Sequence, residues 1–409
     1  MSKQTDAFDN VPWDEPGEEG KPEPEKEAPL EGEVVPKKIA DSGQKADAIS
    51  TSHHFDRAIR EVDEGREGRA VWIPMAFPKI GENMEIAPRS YTLVGGASGT
   101  GKTALVHQLY ILSPYNWYIK NRHQSDVKLK IVLRNMERPF HLLLTKWVAV
   151  YLHAKYGLLC DTRFLMGRGQ QKSKVSDELY EKVCEGFDYF KIMCEDVIDV
   201  RSKIENPTGI ANHVRGIAED QGKFVKLDKY RTRYIPNDEN RITLVILDHI
   251  GRISPERGYN QVENLKKMSE YLSIARDVYG FSPVVVCQFN RGIQETARRT
   301  SSKMNLVPEE RDFKGAGNMY EDADIAMGLF NPFKYGMGDF EKYDVAALRS
   351  EEGHSRFRSL HILKSNQGID DFEGYLHFIG ETGTFGELPP PDKISAMDYS
   401  KLANLPSII

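Results

Sequence analysis

Two periodicities divide the chain. Short apolar runs, rich in β-branched residues and bounded by polar or turn residues, predict buried strands at 91–94, 127–134, 242–247, 283–287 and 325–330. Longer segments with apolar residues every three or four positions predict helices over 140–152, 176–190, 210–220 and 262–279. The last of these carries Leu265, Met268, Leu272, Ile274, Ala275 and Val278. Strand-like and helix-like segments alternate, which predicts an α/β fold with a mainly parallel central sheet flanked by helices. Two later runs, 354–364 and 375–379, flank Asn366-Gln367-Gly368 and read as a hairpin.

The ends and inserts read differently. Residues 1–50 are rich in Pro, Glu, Asp and Lys with few large apolar residues, a composition that predicts a disordered acidic tail. Within it, Phe8 and Trp13 among acids suit a docking peptide or an inert solubilising tail. Residues 51–70 form a linker with a short helix at 54–64, whose Phe55, Ile59 and Val62 share one face. That face fits a neighbouring subunit or the helix's own domain. Residues 71–388 then make one domain, in which 222–240, basic and aromatic, reads as a β-hairpin insert, either solvated or in contact with nucleic acid or a partner. Pro389-Pro390-Pro391 ends the folded part, and 389–409 is a C-terminal tail with a short amphipathic helix, docked in cis or on a partner.

Charge changes the picture only locally. The chain carries −6 overall, but residues 1–50 hold 13 acidic and 6 basic residues, so the remaining 359 are close to neutral. A near-neutral body neither indicates nor excludes nucleic acid, because a channel can concentrate positive charge. There is no apolar run of about 18 residues and no signal-like N-terminus, so a cytoplasmic protein without a membrane partner is expected. Cys160, Cys184, Cys194 and Cys287 lack metal-type spacing and read as reduced thiols.

The chemistry begins after the first strand. Gly96-Ala97-Ser98-Gly99-Thr100-Gly101-Lys102-Thr103 fits G-x-x-x-x-G-K-[ST] between a strand and helix formers. Glycines let backbone N–H groups face a phosphate chain, and the following helix N-terminus favours negative charge. Lys102 would neutralise the β- and γ-phosphates of ATP, and the Thr103 hydroxyl would ligate Mg²⁺. Asp248, closing the run 242–247, has the Walker B arrangement of a carboxylate beside that metal. Glu137 follows the 127–134 strand, where a carboxylate either polarises the attacking water or is simply an exposed loop residue. Gln288 ends the 283–287 strand, as a sensor of the γ-phosphate would. Beyond it, 292–317 is a long Ser/Thr-rich loop with Arg298, Arg299, Lys303 and Lys314, preceded by Arg291, and these cations suit phosphate contact with DNA.

In this order the pieces GGASGTGKTAL, NMERP ending the second strand, LVILDHI, PVVVCQFNR, MYEDADIAMGLF and LKSNQG resemble the C-terminal RecA-like ATPase domain of the DnaB family of hexameric replicative helicases, over roughly residues 55–380. The resemblance implies a RecA-like P-loop NTPase core with Glu137 as catalytic base, Asp248 as Walker B acid and Gln288 as sensor. It also implies a homo-hexameric ring with ATP at subunit interfaces and single-stranded DNA in the central channel. Two departures stand out. An acidic tail occupies the place of the family's N-terminal helical domain, which puts the usual route to primase in doubt. A replication partner (primase, loader or single-strand-binding protein) would then use either tail. At the finger turn, Lys364 matches the family lysine, but Asn366 stands where the arginine is expected. Lys364 then acts alone, Arg356 or Arg358 substitutes, or hydrolysis is weak. A helicase trimmed in this way suits a phage-type replication protein working in the host cytoplasm. The alternatives are a RecA-like strand-exchange ATPase and a non-motor ATPase switch acting through protein partners.

Overall fold

The computed structural model describes residues 51–168, 174–227, 232–290, 306–313, 316–351 and 353–405. The expected acidic tail at 1–50 and the cations Arg291, Arg298, Arg299, Lys303 and Lys314 lie outside the described residues. Nine strands form one sheet: β1 (Thr92–Gly96), β2 (Lys128–Asn135), β3 (Ile198–Arg201), β4 (Arg241–Asp248), β5 (Ser282–Gln288), β6 (Ile325–Phe330), β7 (Phe357–Ser365), β8 (Phe372–Ile379) and β9 (Thr384–Glu387). Their order across the sheet is β9-β8-β7-β6-β1-β5-β4-β2-β3. From β6 to β3 all pairings are parallel, while β6-β7, β7-β8 and β8-β9 are antiparallel. The sheet is thus a parallel core with an antiparallel annex.

Apolar runs without alternation are explained by burial on both faces. Side chains of successive strand residues point to opposite faces, so each run splits between two cores. Val94, Ile131, Leu133, Leu244 and Ile246 enter one, and Leu93, Val132, Val245 and Leu247 enter the other. The helices are α1 (Thr51–Arg66), α2 (Lys102–His107), α3 (Ser113–Asn121), α4 (Phe140–Tyr156), α5 (Asp177–Asp196), α6 (Pro207–Gln221), α7 (Gln261–Asp277) and α8 (Ala396–Ala403), besides shorter helical turns. Helices α2 to α5 cover the first face, through Leu105, Tyr115, Trp147, Tyr151 and Phe190; α6 and α7 cover the second through Ile210, Val214, Met268 and Leu272. Helix starts follow local chemistry: Asn206 caps α6 ahead of Pro207, and Asn260 with Glu263 forms a capping box on α7.

Several sequence expectations change here. The short strands β3 and β9 carry too few residues for periodicity to register. Residues Gly222–Lys226 and Thr232–Pro236 pair antiparallel, as an insert hairpin requires. The folded part does not end at the proline run. Beyond it α8 docks in cis, with Ala403 buried, His377 Nε2 2.8 Å from the Leu402 carbonyl, and Arg356 Nε donating to the Ala403 carbonyl at 3.4 Å. By contrast, Phe55, Ile59 and Val62 of α1 are 61–70% exposed, so that apolar stripe is not covered by the described residues of its own domain.

The annex is held to the core by a buried amide. Between α2 and α3 the chain winds through a π-helical turn, Gln108–Leu112. Gln108 Nε2 donates to the Phe385 carbonyl and its Oε1 accepts from the Phe385 N–H, both at 2.7 Å. The side chain thereby extends the ladder of β9 with a backbone-like pair of bonds. Gln108→Leu keeps the volume but leaves two buried backbone groups unpaired, each costing about 1–3 kcal/mol. Chemical denaturation should show a loss of about 2–4 kcal/mol; a variant within about 0.5 kcal/mol of wild type would mean that water replaces both bonds.

Candidate functional site

Parallel pairing brings the carboxyl ends of β1, β5, β4 and β2 to one edge of the sheet. Gly96 is level with Gln288, and Asn135 with Asp248. Open α/β sheets bind ligands beyond this edge. The loop after β1 and the N-terminus of α2 occupy its centre. Gly99 and Gly101 have φ of +74° and +103°, a region that L side chains rarely adopt. A Cβ on Gly96 would lie 2.8 Å from the Leu329 carbonyl oxygen, so the loop is seated too closely for any side chain there. Thr100 Oγ1 and Lys102 Nζ both donate to the Ala97 carbonyl at 2.9 Å, which curls the loop around its own amides.

The annex supports the loop from behind. A Cβ on Gly101 would meet the rings of Phe385 and Phe378 at 3.0 and 3.1 Å. Arg358 of β7 donates from Nε to the Thr100 carbonyl at 2.9 Å and stacks on Phe378, its guanidinium carbon 4.5 Å from the ring centroid. Burial lowers its pKa to about 9. Lys334 Nζ donates to the Ser98 carbonyl at 2.6 Å. Arg358, Lys334, His354 and Phe378 border a cavity of about 390 Å³ that reaches Gly99.

Four of the expected residues meet around Asp248. Thr103 Oγ1 donates to Asp248 Oδ1 at 3.1 Å. Asp248 is 1% exposed, and burial raises its pKa to about 7; the Thr103 bond and Lys102 oppose the rise, and the nearby Glu137 charge adds to it. Lys102 is pushed down by burial, with Cys287, Asp248 and Glu137 opposing. Glu137 is exposed on the turn after β2, where Met136 N–H donates to the Asp248 carbonyl at 2.8 Å and Asn135 Nδ2 to the Arg138 carbonyl at 2.8 Å. These bonds hold the turn of Glu137 against the end of β4. Gln288 is exposed at the end of β5, and the next residue, Phe289, donates its N–H to the Gly96 carbonyl at 3.1 Å. Hydroxyl and carboxylate oxygens side by side on Thr103 and Asp248 are the hard donors that Mg²⁺ takes, so the residues present fit that ion.

Other expectations separate from this cluster. Lys364 is level with Ala326, one residue from the strand end where Ile325 faces Thr92, so it lies at the opposite end of the sheet from its own P-loop. Its Nζ donates to the Tyr320 and Glu321 carbonyls at 3.1 and 2.7 Å. Asn366 bonds Asp324, from its backbone N–H to the carbonyl at 2.8 Å and from Nδ2 to Oδ1 at 3.4 Å. Neither arginine considered as a substitute is free to replace it: Arg356 is buried in an ion pair with Glu381, and Arg358 is buried against its own P-loop. The acids at 321–324 are structural in part. Asp324 Oδ2 accepts from the Tyr91 N–H and from Arg276, tying the start of β1 to α7, and Asp322 accepts from Ser269.

Sequence reasoning missed Arg358, His249 and His107. Nothing local marks Arg358, whose partner is 258 residues away. His249 follows Asp248 directly, and burial lowers its pKa, with Glu137 opposing. His107 was legible: it stands one helical turn after Thr103, hence on the same face of α2.

The buried carboxylate gives a signed prediction. A pKa raised from about 4 in the unfolded chain to about 7 in the fold means that Asp248 favours folding below the lower value. That contribution is lost as pH rises through the higher one, amounting to about 4 kcal/mol. Asp248→Asn should therefore match wild type in thermal stability near pH 4 and exceed it above pH 7 in metal-free buffer. Equal melting temperatures across that range would show that Asp248 ionises without cost.

Likeness to known proteins is confined to structure. No protein-family model matches the chain, and no curated protein matches its sequence. Among solved structures, a helicase-type ATPase domain superposes with a TM-score of 0.59 at 16% identity, covering 82% of this chain and 99% of that one. A DnaB-like replicative helicase, described with its interactions with primase, superposes at 0.58 and 15% identity, covering 82% and 68%. At such identity the shared property is the fold, and the chain has the fold of the ATPase domain found in DnaB-like replicative helicases.

Proposed function

We propose that the chain is an ATP-driven, ring-shaped DNA helicase that translocates on single-stranded DNA during replication. The observation that carries this reading is the convergence at one sheet edge of the P-loop, Asp248, Glu137 and Gln288. In the proposed reaction the P-loop amides and Lys102 hold the β- and γ-phosphates, and charge on the transferred group is neutralised there. Thr103 and Asp248 would hold Mg²⁺, which supplies charge neutralisation when bound. Glu137, exposed beside this cluster, accepts the proton of the attacking water. Gln288, level with Gly96, senses the γ-phosphate and passes its loss to the segment after β5.

Assembly into a ring follows from two features. The uncovered stripe of Phe55, Ile59 and Val62 on α1 suits a neighbouring subunit, because apolar side chains in a row gain by leaving water. Lys364, at the far end of the sheet from its own P-loop, is suited to act in trans as the cation at a neighbour's γ-phosphate. With Arg356 and Arg358 committed elsewhere, it acts alone.

Steady-state ATP hydrolysis with and without single-stranded DNA tests the reading. Wild type should be stimulated several-fold by DNA, Lys102→Ala should lose nucleotide binding and turnover, and Glu137→Gln should bind ATP yet turn over at least about 100-fold more slowly. Ile59→Asp should reduce the sedimenting mass to that of a monomer and abolish the stimulation. Hydrolysis indifferent to DNA would overturn the motor and favour the non-motor switch.

A further inference from the structure

We propose that His107 is a positioning residue for Asp248, donating from Nε2 to Asp248 Oδ2 in a tautomer that Trp147 selects. The inference rests on the nucleotide-hydrolysis reading of the site and adds to it a residue outside the P-loop signature.

The geometry comes from three elements. Thr103 and His107 are four residues apart on α2, so both side chains look out from one helix face. That face meets the end of β4. Thr103 takes one oxygen of Asp248, and His107 Nε2 stands 3.6 Å from the other. His107 is 4% exposed, and among the described residues its Nε2 has no hydrogen-bond partner within normal reach. On the ring's other side, Trp147 Nε1 of α4 lies 3.4 Å from His107 Nδ1. The two rings meet edge to face, with centroids 5.7 Å apart.

The tautomer follows from what each group can do. An indole N–H only donates, so Nδ1 must offer its lone pair and the ring proton must reside on Nε2. That N–H then points at a carboxylate oxygen. A contraction of a few tenths of an ångström would complete the bond, and catalytic bonds commonly tighten when substrate is bound. Trp147 is itself wedged between Phe140 and Phe190, so the ring it orients has little freedom. The chain Trp147–His107–Asp248 therefore fixes the orientation of the carboxylate from the side opposite Thr103. The Thr103 hydroxyl is then free to turn to Mg²⁺ without releasing Asp248, as ligands held by an outer hydrogen bond generally are.

Two readouts test this on the full chain. In histidine-¹⁵N-labelled protein, the ring signal lost in His107→Gln should show a protonated Nε2 and a bare Nδ1, and Trp147→Phe should mix the two tautomers. A proton on Nδ1 in wild type overturns the proposal, whether or not the protein hydrolyses ATP. In Mg²⁺ titrations of hydrolysis, His107→Leu should raise the half-maximal Mg²⁺ concentration about tenfold, the effect of one hydrogen bond to a charged group. Its half-saturating nucleotide concentration at saturating Mg²⁺ should stay within about twofold of wild type, because the P-loop amides are untouched. His107→Gln carries an amide N–H near the Nε2 position and should recover most of the loss; a thermal melt checks that both variants fold. Equal Mg²⁺ dependence in the Leu and Gln variants overturns the proposal. Absence of Mg²⁺-dependent hydrolysis in wild type would instead defeat the parent reading, leaving the tautomer measurement to decide the role of His107.

Discussion

The arrangement depends on how closely the P-loop backbone can be approached. Gly96 lies on the Leu329 carbonyl, and Gly101, at a φ that favours glycine, lies on the rings of Phe378 and Phe385. These contacts come from β6, β8 and β9, strands that follow the loop by more than 200 residues. The loop has few conformations of its own to choose from, because its supporting strands leave no room for others. A cradle that need not reorganise when charge arrives is the form of electrostatic stabilisation that costs least at the moment of reaction.

The annex therefore acts as part of the site as well as an edge of the sheet. Gln108 ties β9 to the helical segment behind the loop, and Arg358 brings a buried cation to the loop's apex with an aromatic ring as its other neighbour. A guanidinium buried without a carboxylate against it is costly, which its lowered pKa reflects. It is stable here because its N–H groups find the carbonyls of Thr100, Ser355 and Phe357. Its charge adds to the field that an anionic ligand would meet at Gly99. Asp248 carries the opposite cost: a carboxylate in a nearly dry position, held by Thr103 and facing His107, whose own pKa burial lowers to about 3. Stability is given up at both places where charge is needed, a pattern common at functional sites.

The two ends of the sheet have separate work. The carboxyl ends of the parallel strands collect the nucleotide residues, whereas the opposite end collects Lys364, Asn366 and the acids at 322–324. Part of that second group is plain scaffolding, since Asp324 links the backbone of Tyr91 to Arg276. Its neighbour Lys364 bonds to backbone carbonyls, which leave its charge in place. An antiparallel strand makes this separation possible: β7 (Phe357–Ser365) carries Arg358 to the loop at one end and Lys364 to the other edge at its far end.

The sequence by itself determined the local and the strongly patterned features. Apolar runs placed β1, β2, β4, β5 and β6, amphipathic periodicity placed α4 to α7, and motif spacing marked Lys102, Thr103 and Asp248, because each signal is carried by residues adjacent or one turn apart. Short elements were not legible: β3 and β9 have four residues each, below what periodicity can resolve. The tertiary structure alone decided what lies across long separations. It seated α8 on its own chain, left the stripe of α1 uncovered, brought Arg358 to Thr100, and set Trp147, His107 and Asp248 in line. Such contacts join segments 40 to 258 residues apart, and no local pattern encodes which of many apolar or polar positions will meet. Distance along the chain, rather than chemical subtlety, set the boundary between the two.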